Sequence, residues 1–325
     1  MPSFRAILSN LPSIRAILSN PYLELKLGRQ RWRQYWEISR IRKDFAAAKD
    51  KAQRVELNKR RRAVEQEIYR LRLQREELRT GARPRTEPQP LIGALPDFVI
   101  IGGKKCGTSF LYYLLSQHPL VEPAARKEVH FFDDYFEEGV EWYRRFFRAP
   151  RLEDGQRVIT GEASPGYLYD RSVPQRMAEV VPQARLVALL RNPVDRAFSD
   201  YQMTVRLGRE WRSFEQAIDV PPNKYLPRGV YADQLLRWSE FFSREQLLIL
   251  KSEDFFERPA DVFKIVLGFL ELPEWEFDAS RIGPDELRAG GYEQRMDPAT
   301  RRRLEEYFEP HNRRLYDFLG TDFGW

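Results

Sequence analysis

A single cysteine, Cys106, serves the whole chain. That excludes an intrachain disulfide and any zinc site built from clustered thiolates. The three histidines, His118, His130 and His311, show no paired metal-ligand spacing, so no metal is expected. No run of about 18 or more uncharged apolar residues occurs, which leaves no candidate for a transmembrane helix. Arg5 and Arg15 stand near the N-terminus, but the apolar stretch of roughly 7–15 residues and the small-residue cleavage site of a secretory leader are missing. So little cysteine fits a reducing compartment. The expectation is a soluble, cytoplasmic protein.

An excess of positive charge is also missing from most of the chain. Residues 1–90 hold 22 Lys/Arg against 10 Asp/Glu, a net of +12, while the other 235 hold 32 against 38, a net of −6. The overall +6 therefore belongs to an N-terminal arm. A mildly acidic body argues against nucleic acid as a partner. It leaves the arm as the part suited to an acidic protein or to a peripheral place on an anionic membrane surface.

The arm opens with a near-duplication, SFRAILSN at 3–10 and SIRAILSN at 13–20. Phe4, Ile7, Leu8, Leu11, Ile14 and Leu18 fall near one helical face. An interfacial anchor or docking peptide fits this pattern, and so does a short duplication in a floppy terminus. Residues 29–80 contain neither Gly nor Pro and place opposite charges at helical spacing, as with Glu56 and Arg60. They predict one long helix, a helical hairpin or a coiled coil. TGARPRTEPQP at 80–90 reads as a linker. The predicted division is an arm and linker over 1–91 and a body over 92–325.

In the body, strand-like runs at Phe98–Ile101, Val158–Gly161, Arg185–Leu190 and Gln246–Leu250 alternate with helical stretches near 108–117, 172–180, 193–206, 230–242, 259–270 and 298–318. Short, continuously apolar strands separated by helices imply a parallel sheet covered on both faces. The predicted fold is α/β, a P-loop-like three-layer arrangement around a central parallel sheet, preceded by the helical arm. Ligands of such folds bind at the C-terminal strand ends.

The segment DFVIIGGKKCGTSFLYYLLSQ, residues 97–117, joins a strand, a glycine-rich turn and a helix start. Free backbone N–H groups and the helix dipole make that junction an anion cradle. A nucleoside-triphosphatase loop carries its lysine after the second glycine. Here Thr108 follows Gly107, and Lys105 lies inside the loop. A nucleotide phosphate is implied, with a chemistry other than ATP or GTP hydrolysis. A second motif, LVALLRNPVDRAFSDY at 186–201, delivers Arg191 at a strand end, with Asn192 as helix cap, Pro193 as first helical residue and Ser199 two turns on. Arginine suits phosphate because its planar fork makes two parallel charge-assisted bonds. No aspartate stands where a magnesium-holding carboxylate is expected after that strand.

RKEVHFFDD at 126–134 gathers titratable groups in an apolar setting. In an extended segment Glu128 and His130 point the same way. Phe131 and Phe132 are placed to bury the neighbourhood and raise a carboxylate, as a general base for a hydroxyl requires. A solvated surface loop is the competing reading. GEASPGY at 161–167 places Glu162 or Ser164 at the same rim, and RAGGY at 288–292 is a turn where backbone can approach a ligand, although both also read as plain connections.

Together these segments resemble the sulfotransferases that use 3′-phosphoadenosine 5′-phosphosulfate (PAPS), in the branch of the heparan-sulfate and bacterial carbohydrate enzymes. The resemblance covers roughly residues 95–325 and rests on KKCGTS at 104–109, KEVHFFD at 127–133, LLRNPVDRAFSDY at 189–201, RGVYADQLLRW at 228–238 and the tail 307–325. It implies that Lys105, Gly107, Thr108 and Ser109 line the 5′-phosphosulfate loop, with Lys105 on the oxygen bridging phosphorus and sulfur. It implies Arg191 and Ser199 at the 3′-phosphate, Glu128 as base with His130 the next candidate, and Gly291 and Tyr292 in a loop closing over the nucleotide. The implied partners are PAPS or its product PAP and a hydroxyl acceptor, a carbohydrate or glycolipid being favoured. Ala163 stands where some heparan-sulfate enzymes carry a lysine, and Cys106 where Gly or Thr is frequent. The competing functions are a catalytically silent nucleotide-binding scaffold and a P-loop kinase.

Overall fold

The computed structural model describes residues 93–149, 151–207, 209–221, 223–277 and 296–325. The expectations for the arm and linker over 1–91, and for Gly291 and Tyr292, lie outside these residues. Six strands occur among them: β1 (Phe98–Gly102), β2 (Val121–Pro123), β3 (Arg151–Glu153), β4 (Gln156–Ala163), β5 (Arg185–Leu190) and β6 (Leu247–Lys251). The helices are α1 (Thr108–Leu115), α2 (Phe131–Asp134), α3 (Val140–Arg144), α4 (Val173–Val180), α5 (Pro193–Arg206), α6 (Phe214–Asp219), α7 (Tyr231–Ser239), α8 (Ser252–Glu257), α9 (Pro259–Phe269) and α10 (Pro298–Leu319). No helix of the described residues is long and apolar enough to cross a membrane.

The sheet order is β2-β4-β1-β5-β6, with every neighbouring pair parallel and β3 attached antiparallel to β4. Because side chains alternate along a strand, the apolar run of β1 supplies both faces. Val99 and Ile101 join Leu186, Ala188 and Leu190 in a core with Phe131, Phe132, Tyr143, Tyr167 and Trp238. Phe98 and Ile100 join Val187 and Leu189 on the other face, against Leu111 and Leu114 of α1 and Phe263 and Val266 of α9. Continuous apolar strands thus give the covered parallel sheet expected, with β1 at its centre. A smaller cluster holds the first half of α5 against α6 and α10 through Val194, Ala197, Phe214 and Phe308.

Two strands were not legible in the pattern. β2 and β3 are three residues each, β2 ends in a proline, and β3 is exposed along its whole length. Neither presents an apolar run long enough to stand out.

Candidate active site

The loops that carry the three motifs leave β1, β2 and β5 on one side of the sheet. Between β1 and α1 the chain is held by backbone bonds: the Gly103 N–H donates to the Leu189 carbonyl at 2.6 Å, and Ser252 Oγ donates to the Cys106 carbonyl at 2.9 Å. Gly107 closes the loop at φ 90°, in the left-handed region. A Cβ there would also lie 2.9 Å from Phe256 Cζ, so glycine is required twice over. Cys106 is fully buried, and burial raises its thiol to about 11. A thiol held neutral in this way is neither nucleophile nor metal ligand.

The two lysines of the loop have different surroundings. Lys104 Nζ sits 3.1 Å from Asp200 on α5. Burial lowers its ammonium pKa, with Asp200 opposing the shift. Lys105 adopts φ 72° and turns its Nζ to within 3.7 Å of Met203 Sδ, also on α5. Arg191, at the end of β5, donates to the Lys105 carbonyl at 3.4 Å. Asn192 caps α5 as expected, accepting from the N–H groups of Val194 and Asp195 at 3.0 and 3.4 Å, an arrangement that typically contributes about 1 kcal/mol. Ser199 is buried on α5 beside Asp200, so the helix that Arg191 leads into is laid across the glycine-rich loop. Thr108 is buried at the start of α1 and Ser109 is exposed.

The loop after β2 comes to the same place by a different route from the one expected. Glu128 and His130 are not in an extended segment: both have φ 57°, and the left-handed kinks direct their side chains together. His130 Nε2 lies 3.7 Å from Glu128 Oε2. Phe131 and Phe132 point into the core, while the Glu128 side chain keeps 46% exposure. The aromatic pair therefore does not bury Glu128. The buried carboxylate of this neighbourhood is Glu162, at the end of β4.

Glu162 has no exposed surface and accepts from Ser164 Oγ at 2.7 Å, Tyr143 OH at 2.8 Å, Tyr167 OH at 3.1 Å and the Val129 N–H at 3.3 Å. Burial raises its carboxyl pKa, and the three hydroxyl donors restrain the rise. Ser164 in turn accepts from the His130 N–H at 3.1 Å. Both residues stand beneath the rim and brace the loop that carries Glu128 and His130.

Two participants escaped the sequence reading. Asp133 Oδ2 lies 2.9 Å from His130 Nδ1, a contact whose signal is the three-residue spacing onto the first turn of α2. Lys127 donates to Ser109 Oγ at 2.5 Å and lies 3.7 Å from Glu128 Oε1, which joins the anion loop to the carboxylate. Burial depresses the His130 imidazole, but hydrogen bonds and charge from Asp133 and Glu128 outweigh it and lift the pKa to about 10. His130, Asp133 and Asp134 offer three potential ligand atoms within 4.8 Å of one another.

A histidine that holds its proton more tightly when folded contributes stability in full below about 6.5, and loses it as pH rises through about 10. NMR titration of the His130 ring is expected to show no midpoint between roughly pH 5 and 8, and Asp133→Asn should bring the midpoint down toward the ordinary range. A wild-type midpoint near 6.5 would contradict the paired geometry.

Fold and site define a class: an α/β protein with an anion-binding loop at the central strand, a second cationic group at the next strand, and a carboxylate–imidazolium pair tied to that loop through Lys127 and Ser109. The family described as a sulfotransferase domain matches residues 95–282. Human heparan sulfate glucosamine 3-O-sulfotransferase 6 is 34% identical over 257 residues, covering 71% of this chain and 73% of that protein. Human heparan sulfate glucosamine 3-O-sulfotransferase 3B1 is 32% identical over 259 residues, 71% of this chain and 65% of its own. A crystallised sulfotransferase from Alicyclobacillus acidocaldarius superposes with a TM-score of 0.59 at 32% identity, over 71% of this chain and 98% of that one. The chain belongs to the sulfotransferase family.

Proposed function

We propose that this sulfotransferase moves a sulfuryl group from PAPS to a hydroxyl of a carbohydrate or glycolipid. The observation that carries the reading is the bridge from Ser109 through Lys127 to Glu128, because it joins an anion cradle to a carboxylate base. In this reading Lys105, Gly107, Thr108 and Ser109 hold the 5′-phosphosulfate, Arg191 and Ser199 hold the 3′-phosphate, and Gly291 and Tyr292 cover the nucleotide. A carbohydrate acceptor is supported by the relatives named for glucosamine of heparan sulfate. It is also supported by Trp211, an 88% exposed indole on the segment following α5, of the kind that stacks on sugar faces.

The acceptor oxygen attacks sulfur in line as Glu128 takes its proton. The new O–S bond forms while the bond from sulfur to the bridging phosphate oxygen breaks, and PAP leaves with that electron pair. Lys105 and the start of α1 meet the charge growing on the leaving oxygen. The His130 imidazolium, held by Asp133, keeps Glu128 oriented.

Radiolabelled PAPS offered with glycan, glycolipid and small-alcohol acceptors is expected to label a carbohydrate-bearing acceptor. Transfer to none of the three would overturn the proposal. In calorimetry, PAP should bind roughly tenfold or more tightly than 5′-AMP, since the 3′-phosphate adds charge-assisted bonds. Equal affinity would leave Arg191 and Ser199 without a role.

A further inference from the structure

The start of β1 and the first half of β4, with edge strand β2, border a hollow of about 350 Å3. Its wall includes Asp97, Glu122, Arg144, Arg148, Arg151 and Arg157. Four guanidinium groups therefore share the wall with two carboxylates, in a body whose acids outnumber its bases by 38 to 32 overall.

The internal ion pairs of these arginines are shared or partly exposed. Arg157 pairs with Asp97, whose second oxygen accepts the Thr160 N–H at 2.8 Å. Glu122 is shared between Arg148 Nε at 3.5 Å and Arg151 at 3.6 Å. Arg151 also reaches Glu153. Arg144 donates to the Gly93 carbonyl at 2.9 Å, and its Nε lies 3.4 Å from the exposed Glu141. Shared or exposed ion pairs are weak and give way to a competing anion, and guanidinium forks match a phosphate or sulfate ester.

The hollow is separate from the donor loop. Strand β1 has five residues, so its two ends lie roughly 17 Å apart, with Asp97 before one and the anion loop after the other. A volume of about 350 Å3 is also larger than one oxyanion needs and falls in the range of small-molecule pockets. We propose that this arginine-lined hollow is a second anion site, which takes a sugar bearing a phosphate or sulfate ester.

The test uses the full chain saturated with PAP, so that the donor site is filled. Calorimetric titration with glucose 6-sulfate and glucose 6-phosphate should each show binding, and glucose itself none. The double variant Arg148→Ala/Arg151→Ala should weaken the esters roughly tenfold or more and leave PAP affinity unchanged. Both arginines are at least partly exposed, so the variant is expected to fold, with the PAP titration as the check. Absence of ester binding would overturn the proposal. Unchanged affinity in the double variant would also overturn it, by placing the esters elsewhere. Inorganic sulfate binding as tightly as the sugar sulfate would overturn the assignment of a sugar ligand.

Discussion

Glu128→Gln is expected to lower kcat by about a hundred- to ten-thousand-fold while PAP affinity stays nearly constant, the range lost when a positioned general base is removed. Glutamine keeps the shape and the contact with His130 but cannot accept the acceptor's proton. The choice of Glu128 over its neighbour follows from charge. His130 is lifted to about 10 by Asp133 and Glu128 and so already carries a proton at neutral pH. Glu128 is open to solvent along 46% of its side chain, which leaves it accessible to an incoming hydroxyl. Glu162, although its pKa is raised, is sealed under four donors and cannot reach a substrate. Steady-state turnover with saturating PAPS decides the matter, and a variant with wild-type kcat would remove Glu128 from the base role.

Lys105→Met is expected to cost about a hundred- to a thousand-fold in kcat, the range for losing one preorganised electrostatic contact to a developing anion. Lys104→Met should act chiefly on thermal stability. The two residues are adjacent, yet Lys104 spends its charge on Asp200 at 3.1 Å, whereas Lys105 faces a thioether, a weak acceptor that leaves the ammonium uncompensated. Removing Lys104 also leaves the buried Arg196 as the remaining ion-pair partner of Asp200. Comparable kcat losses in the two variants would mean that both ammonium groups act on the phosphosulfate.

Much of this architecture was legible because a covered parallel strand has a plain signature. Arg185–Leu190 was read to the residue, and Asn192 and Pro193 marked the start of α5. The meeting of Lys105 with Met203, and of Lys127 with Ser109, was not legible, since each joins residues far apart in sequence through the sheet order. The loop of Glu128 and His130 was read with the right neighbours and the wrong backbone. Glutamate does not signal a positive φ and histidine does so only weakly, so alternation along an extended strand was the natural expectation. Glu162 was noticed without its purpose, because nothing in GEASPGY shows that Tyr143, nineteen positions earlier, returns to bond it.

Cys106 has a practical consequence for anyone handling the protein. The only sulfhydryl of the chain is enclosed within the glycine-rich loop, against Tyr231 and beneath the backbone that Ser252 holds. An alkylating reagent reaches it only when that loop opens, so the pace of labelling reports the opening frequency of the loop between β1 and α1. Ligands that fasten the loop would register as a slower clock, with no engineered probe and no second thiol to blur the signal.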